Sequence, residues 1–318
     1  MFRFTAHRLE FRCRATTEVV LPAFKGSTFR GALFSAALRA FCLNPTCKSC
    51  LACPVNTACP IARLAATVDP QSDHGIEVPR PFALEPPLDG ERRYPQGAPF
   101  AFAVTLLGDD ALPLFPYVVL AARGMGEAGL GDRRVAPGRF VVEEVQATNP
   151  LTGAAQVLYT QAEAVVRPPQ VAVTSQDVAA AAARLPSDRA TLHLLTPLRL
   201  VADGALVHRL SFELLMRTLF RRLSFLARHC GGTLDVRFAP LLEAAQRVEV
   251  AEDRTAWLDV ASYSRRQGRA TPMGGLVGQV AFQGDLAPFL PYLVWGTVVH
   301  LGKDCTKGNG WYGIVTGR

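Results

Sequence analysis

The sequence predicts an α+β protein built in two halves, on three observations. Strand-like and helix-like segments alternate through the first 165 residues. A stretch rich in proline and alanine at 166–189 separates them from a second half with the same gross plan. Four cysteines fall within 13 residues of one another in the first half. The order strand, helix, strand, helix, strand is consistent with a ferredoxin-like layer, here with an inserted cysteine-rich metal-binding loop.

Taken in order, residues 3–14 alternate apolar and polar side chains, as a half-buried strand does. Ser27 or Thr28 then caps a helix with apolar Phe29, Leu33, Ala36, Ala37 and Phe41, which ends near Asn44-Pro45. Pro60 suits a first helical turn and starts a short helix over 61–66. Residues 70–99 are rich in Pro and Gly and read as a long surface connection. A strand over 100–107, a helix over 114–123, a glycine-rich loop at 124–131 and a strand from 138 complete the first half. After the junction come a strand at 191–200 and a strong helix at 210–230 ended by Gly231-Gly232, with Arg217, Arg221, Arg222 and Arg228 on its basic side. A short helix at 241–247, strands near 248–250, 257–260 and 276–282, and a helix at 286–294 lead to a glycine-rich tail. The domains are set at 1–170 and 186–318.

With 318 residues, 49% of them hydrophobic, the chain is long enough for two domains with real cores. The first residues alternate and are charged, unlike a secretory signal. The apolar windows 115–122 and 289–299 are far shorter than the roughly 20 residues that cross a membrane. A soluble cytoplasmic protein with no membrane association is expected. The net charge of +7 is uneven: +6 over residues 1–50, −4 over 51–207 and +5 over 208–318. Two basic ends around an acidic middle suggest a positive face, assembled from both domains, that attracts a polyanion. Ordinary solubility is the competing explanation of that charge.

The cysteine run is Cys47-x2-Cys50-x2-Cys53-x5-Cys59. Without an export signal it reads as a ligand set rather than a disulfide framework. Four thiolates at this spacing suit structural zinc; the spacing also partly resembles an iron–sulfur run, and unligated cysteines are the third reading. Four sulfurs fill a tetrahedral shell, so such a metal organises structure and holds no catalytic water. Cys42 is a substitute ligand.

Three stretches suit phosphate. In the tail, 300–313, glycines let backbone N–H groups approach an anion, Lys303 and Lys307 add charge, and Trp311 or Tyr312 can stack on a base. A tight turn before a closing strand is the plainer reading. Arg265, Arg266 and Arg269 beside Tyr263 suit a grip on backbone phosphate, or an ordinary hairpin tip. Lys25 and Arg30 flank a helix N-terminus, which also attracts anions, although a simple cap explains it equally well. The sequence holds no GxSxG elbow, HExxH helix, Rossmann fingerprint or P-loop, and its six histidines are dispersed.

Together these pieces resemble a known family. LPAFKGSTFRGAL (21–33), CPIARL (59–64), PRPFALEPPLDG (79–90) and FPYVVLAARGMGEAGLG (115–131) carry the likeness in the first half. LTPLRL (195–200), FELLMRTLFRRLSFLARHCGG (212–232), YSRRQGRATPMGGLVGQVAFQGDLAPFLPYL (263–293) and HLGKDCTKGNGWYGI (300–314) carry it in the second. The chain resembles the CRISPR-associated endoribonucleases that cut precursor CRISPR RNA, within the repeat-associated mysterious protein superfamily. The resemblance implies tandem ferredoxin-like, RNA-recognition-like domains with CRISPR repeat RNA as the partner. It also implies metal-independent cleavage by ribose 2′-hydroxyl attack, giving 2′,3′-cyclic phosphate and 5′-hydroxyl ends.

The chain departs from that pattern in two places. Relatives often carry a histidine in or just after the first helix, yet residues 29–46 contain none, and Asp304, Cys305, Lys307 and Asn309 interrupt the usual tail. His300 and Lys303 still match the tail's opening and are the catalytic candidates, as proton-transfer group and phosphate-stabilising cation. Lys25, Arg30, Arg221, Arg265, Arg266, Arg269 and Lys307 are the RNA-binding candidates; Tyr263, Lys25 and Lys48 are weaker catalytic auxiliaries. The alternative function is a non-catalytic subunit holding guide RNA among other CRISPR effector subunits. A generic nucleic-acid module is the third.

Overall fold

Residues 2–65, 80–264 and 269–315 are described in a computed structural model. The chain divides into an N-terminal unit, Thr5–Val173 with His229–Gly231, and a C-terminal unit, Met1–Phe4, Thr174–Arg228 and Gly232–Arg318. Each is an α+β sandwich of ferredoxin-like plan.

In the N-terminal unit the alternation of residues 5–15 forms strand β1 (Thr5–Ala15), which buries Leu9, Phe11, Cys13 and Ala15 on one face. Helix α1 (Gly26–Phe41), helix α2 (Pro60–Ala65), strand β2 (Phe82–Glu85), strand β3 (Pro99–Leu107), helix α3 (Phe115–Ala128), strand β4 (Phe140–Thr148) and strand β5 (Ala155–Thr160) follow. The strands lie in the order β2-β3-β1-β4-β5, all antiparallel. That is the ferredoxin order with β5 added at one edge. Phe11 and Phe102 are directly opposite in register, and their rings stack at 4.8 Å. Phe29, Leu33 and Ala37 of α1 and Val118, Val119, Ala122 and Met125 of α3 belong to the same core.

The C-terminal unit repeats the plan: helix α4 (Ser175–Ala182), strand β6 (Arg189–Leu198), helix α5 (Phe212–His229), helix α6 (Phe238–Ala245) and strand β7 (Glu249–Leu258). A hairpin of β8 (Ala261–Ser264) and β9 (Arg269–Pro272), strand β10 (Gly275–Gln283), helix α7 (Leu290–Val299) and strand β11 (Tyr312–Val315) complete it. The sheet order is β7-β10-β6-β11, again antiparallel and ferredoxin-like. Helix α5 buries Phe212, Leu215, Met216, Leu219, Phe220, Leu223 and Leu226, a stripe at three- and four-residue spacing. The opposite side exposes Arg217, Arg221 and Arg228. The Tyr312 hydroxyl donates to the Leu293 carbonyl at 2.8 Å and fills the space a Cβ at Gly296 would need.

Several elements differ from the sequence expectation, among them β5 and α4, which it did not contain, and α7, which lies at Leu290–Val299 rather than 286–294. Residues 124–128, read as loop, continue α3, and Gly126 is glycine because a Cβ there would sit 2.2 Å from the Phe140 carbonyl oxygen. The four residues of β2 were hidden between Pro81 and Pro86. The two short strands near 248–260 are one edge strand, β7, whose exposed side chains give little apolar pattern to read. Helix α1 starts at Gly26, and its N-cap, Lys25, makes no side-chain capping bond, so neither Ser27 nor Thr28 is the cap. Among the described residues no helix is long and apolar enough to cross a membrane.

Candidate nucleic-acid interface

Three sequence stretches that stood apart as motifs meet at one end of the C-terminal sheet. The tail folds back on the end of β6: the Lys303 N–H donates to the Arg199 carbonyl at 3.0 Å, Gly310 N–H to Pro197 at 3.0 Å, and Trp311 N–H to the Thr196 hydroxyl at 2.9 Å. The buried Asn309 amide donates to the Met273 carbonyl at 2.9 Å, joining the tail to the segment before β10. Arg199 donates to the Gly274 carbonyl at 2.9 Å, closing the triangle.

The tail's glycines serve this packing. Gly302 and Gly310 have positive φ, and a Cβ on Gly310 would lie 1.7 Å from the Leu301 carbonyl oxygen. The N–H groups of Leu301, Lys303, Lys307, Gly308, Asn309 and Gly310 all donate to backbone carbonyls within the unit. Those six amides are therefore spent on the loop and on its seat at the end of β6 rather than offered to an anion. The tight turn before a closing strand is what forms, since β11 follows at once and pairs with β6.

His300 caps the C-terminus of α7 with φ 58°, and Asp304 has φ 64°. A non-glycine residue held there costs about 1–3 kcal/mol and marks a place where the surrounding structure dictates the backbone. The His300 ring is fully buried and lies parallel to Trp311 at 5.8 Å. Lys303, three residues on, is exposed, and no carboxylate pairs with it among the described residues. Lys307 is tied to Asp304 at 2.8 Å. Burial pushes the Cys305 thiol up, with the Arg222 charge opposing it.

A further pair in this unit went unread in the sequence. His208, exposed, and Trp257, half-buried, face each other at 4.3 Å. The indole N–H donates to Asp259 at 2.9 Å. Trp257 also borders Gly274, where a Cβ would meet its Nε1 at 3.2 Å, so the pair stands beside the segment that Arg199 braces. Nothing in the local sequence joins two aromatic side chains 49 positions apart; only the β7–β10 pairing and the turn before α5 bring them together.

The other candidates fall as follows. Arg221 is exposed on α5. Arg265 and Arg266 lie outside the described residues; Arg269 opens β9, and Tyr263 lies on β8. In the N-terminal unit Arg30 lies against the Phe34 ring at 4.9 Å. Lys48 is exposed. Lys25, expected at a phosphate-facing helix start, is instead 3% exposed, its ammonium bonded to Asp89 at 2.7 Å and to the Pro87 carbonyl at 3.1 Å. Tyr94 donates to the same carboxylate at 2.8 Å. Much of the basic excess of residues 1–50 is spent in the same way. Arg8 pairs with Glu85 and Glu10, Arg12 with Glu10 and Glu144, and Arg14 with Glu143.

Cys47, Cys50, Cys53 and Cys59 are half-buried free thiols. Burial raises the Cys50 thiol, and the neighbouring Cys59, Cys42, Cys53 and Cys47 raise it further. Among the described residues no three His, Cys, Asp or Glu side chains stand in an arrangement that holds a metal ion.

Two family models match the chain. One, AF_1859_N, described as an N-terminal domain, covers residues 4–171, more than half of the chain. The other, the CRISPR-associated endoribonuclease Cas6, covers residues 192–312 and so takes in most of β6, all of α5 and the tail as far as Tyr312.

Over residues 192–312 the chain carries a Cas6 family domain.

The fold agrees. A Cas6 product complex superposes with TM-score 0.59 at 15% identity, covering 98% of this chain and 100% of that one. Thermus thermophilus Cas6 gives 0.57 at 13%, over 98% and 99%. The chain also matches 29% of a longer chain in a Cas6-RT-Cas1–Cas2 complex, at TM-score 0.62 and 14% identity, with 98% of this chain covered. No curated protein sequence matches. The Cas6 model ends at Tyr312, where β11 begins, so the braced tail lies within the matched region.

Proposed function

We propose that the chain cuts precursor CRISPR RNA within its repeats. A ribose 2′-hydroxyl attacks the adjacent phosphorus and the bond to the 5′-oxygen breaks, leaving a 2′,3′-cyclic phosphate and a 5′-hydroxyl. The step needs a proton removed from the nucleophile, a proton given to the leaving oxygen, and positive charge beside the phosphate. Lys303 supplies the charge, and His300 is the proton-transfer group. Because the imidazole is sealed from solvent, with the half-exposed Trp311 ring beside it, this role requires the tail to open when RNA binds.

The observation that carries this reading is the cross-braced tail. A strained backbone at His300 and Asp304 and an exposed Lys303, without a carboxylate partner among the described residues, sit on a loop tied to both β6 and the segment before β10. Trp257 and His208 supply an aromatic surface for a base. Arg221, exposed on α5, adds a further cation for the RNA backbone, and Arg265, Arg266 and Arg269 remain candidates for the same role from the sequence. Repeat RNA and the mature guide are the partners, with other CRISPR proteins as further ones, and the reaction belongs in the cytoplasm.

A second reading is favoured by the burial of His300 and by the lack of histidine in residues 29–46: a subunit that holds guide RNA without cutting it. Incubating the purified chain with repeat RNA in excess EDTA and mapping the product ends separates the two. Cyclic-phosphate and 5′-hydroxyl ends support cleavage. Tight binding without cutting, across cognate repeats, supports the second reading.

A further inference from the structure

We propose that Cys47, Cys50, Cys53 and Cys59 bind one zinc ion as a tetrathiolate, with Cys42 as a reserve ligand. The proposal is independent of the RNA reading and starts from how residues 42–59 are held.

That stretch, between α1 and α2, forms neither helix nor strand. Its backbone bonds are single turns: Cys47 N–H to Asn44, Ala52 to Ser49, Asn56 to Cys53, Ala58 to Val55 and Cys59 to Asn56. Its burial is inside out. Leu43 is 81% exposed, Leu51 42% and Val55 36%, while all five cysteines are half-buried. A loop that turns its aliphatic side chains outward has no apolar core to offset the entropy of ordering it, and a metal staple is one known substitute. What it turns inward instead is sulfur: Cys42, Cys47, Cys50, Cys53 and Cys59 are partly buried on a loop whose Leu43 faces solvent. The Asn44 amide donates to Cys53 Sγ at 3.4 Å, the kind of outer bond that steadies a thiolate ligand.

The chemistry of the donors narrows the ion. Residues 19–68 contain no Asp, Glu or His, so oxygen-seeking Mg²⁺ or Ca²⁺ finds no carboxylate there. Four soft thiolates suit Zn²⁺ at about 2.3 Å from each sulfur. The sulfurs do not yet stand in that arrangement. Consecutive single turns, with no ladder to break, let the ion draw them together on binding. Lys48, the only charged side chain in 42–59, partly offsets the negative charge of the four-thiolate site.

The test is metal analysis of the full-length chain purified without chelator. About one zinc per chain is expected, falling to near zero in Cys50→Ser and Cys53→Ser and unchanged in Cys13→Ala. Because the serine variants can fail to fold, the wild-type chain is also exchanged with Co²⁺. Sulfur-to-cobalt charge-transfer absorption with tetrahedral d–d bands supports the site. Iron with inorganic sulfide would overturn the proposal in favour of a cluster. A folded, metal-free chain whose cysteines titrate as free thiols or pair as disulfides would overturn it outright.

Discussion

The Arg222 guanidinium ties the middle of α5 to the end of α7: its Nε donates to the Val299 carbonyl at 2.8 Å, and a second guanidinium nitrogen donates to the same oxygen. Val299 is the residue before His300, so this contact sets where the tail departs. The residue reads as one more member of a basic helix face, yet it is half-buried and spent on a carbonyl. Arg222→Ala leaves that helix-end carbonyl short of its donors, a loss of about 1–3 kcal/mol. Hydrogen exchange of residues 300–312 should accelerate together with the lower melting temperature, whereas Arg221→Ala should change neither. Unchanged protection in Arg222→Ala would remove it from this role.

Lys303 and Lys307 are four residues apart and should behave differently. Lys303 is exposed and unpaired among the described residues; Lys307 is held by Asp304. Lys303→Ala is expected to weaken RNA binding across sequences and to flatten the salt dependence by about 0.7 in log–log slope, one phosphate contact on a single strand. Lys307→Ala should change the slope by much less. Titrations at several salt concentrations give both numbers.

Trp257→Ala should cost about 1–3 kcal/mol of RNA affinity through lost stacking, with Trp257→Phe recovering part of it. Melting temperatures measured alongside separate stacking from damage to the β7–β10 edge. Equal affinity in wild type and Trp257→Ala would show that no base uses the pair.

How far the sequence could be read followed the range of the forces involved. Local periodicity set out β1, α5 and β10 because one buried face imposes a short repeat, and the ferredoxin-like plan of both halves followed from their order. Charge counting misled where partners are distant in sequence. Lys25 and Asp89 are 64 positions apart, and only the fold shows that the lysine is buried against that carboxylate. The same holds for Arg8 with Glu85 and Arg14 with Glu143. The tail was legible as glycine-rich, but whether its amides face solvent depends on Pro197 and Arg199, a hundred residues earlier. His208 and Trp257 carried no signal at all until the strands were paired.

The Lys25–Asp89 contact makes stability depend on pH. Burial alone would raise the Asp89 carboxyl, but hydrogen bonds from Lys25 and Tyr94 and the Lys25 charge hold it below its ordinary value. A group depressed in the folded state stabilises fully above its unfolded pKa and loses that contribution as pH falls through the folded pKa. Wild type should therefore lose stability on the acid side, below the usual carboxylate range, by more than Asp89→Asn does. Near neutral pH the variant should be the less stable, by roughly 1–2 kcal/mol given a carboxylate 41% exposed. Parallel acid limbs in the two chains would show that the contact contributes nothing.

His300→Ala should lower the melting temperature, because a fully buried ring packed on Trp311 is removed. If His300 also transfers a proton, cleavage falls far more than RNA affinity does, when both are measured below the variant's melting transition. Equal losses in stability, affinity and rate would make it a packing residue only.

The most direct measurement is cleavage of a repeat RNA carrying a single 2′-deoxyribose at the scissile nucleotide, in EDTA, beside the all-ribose strand. With the 2′-hydroxyl as nucleophile, the all-ribose strand is cut to a cyclic phosphate while the deoxy strand binds equally well and stays intact. Cleavage of the deoxy strand at the same position, or failure to cut either strand, would contradict it.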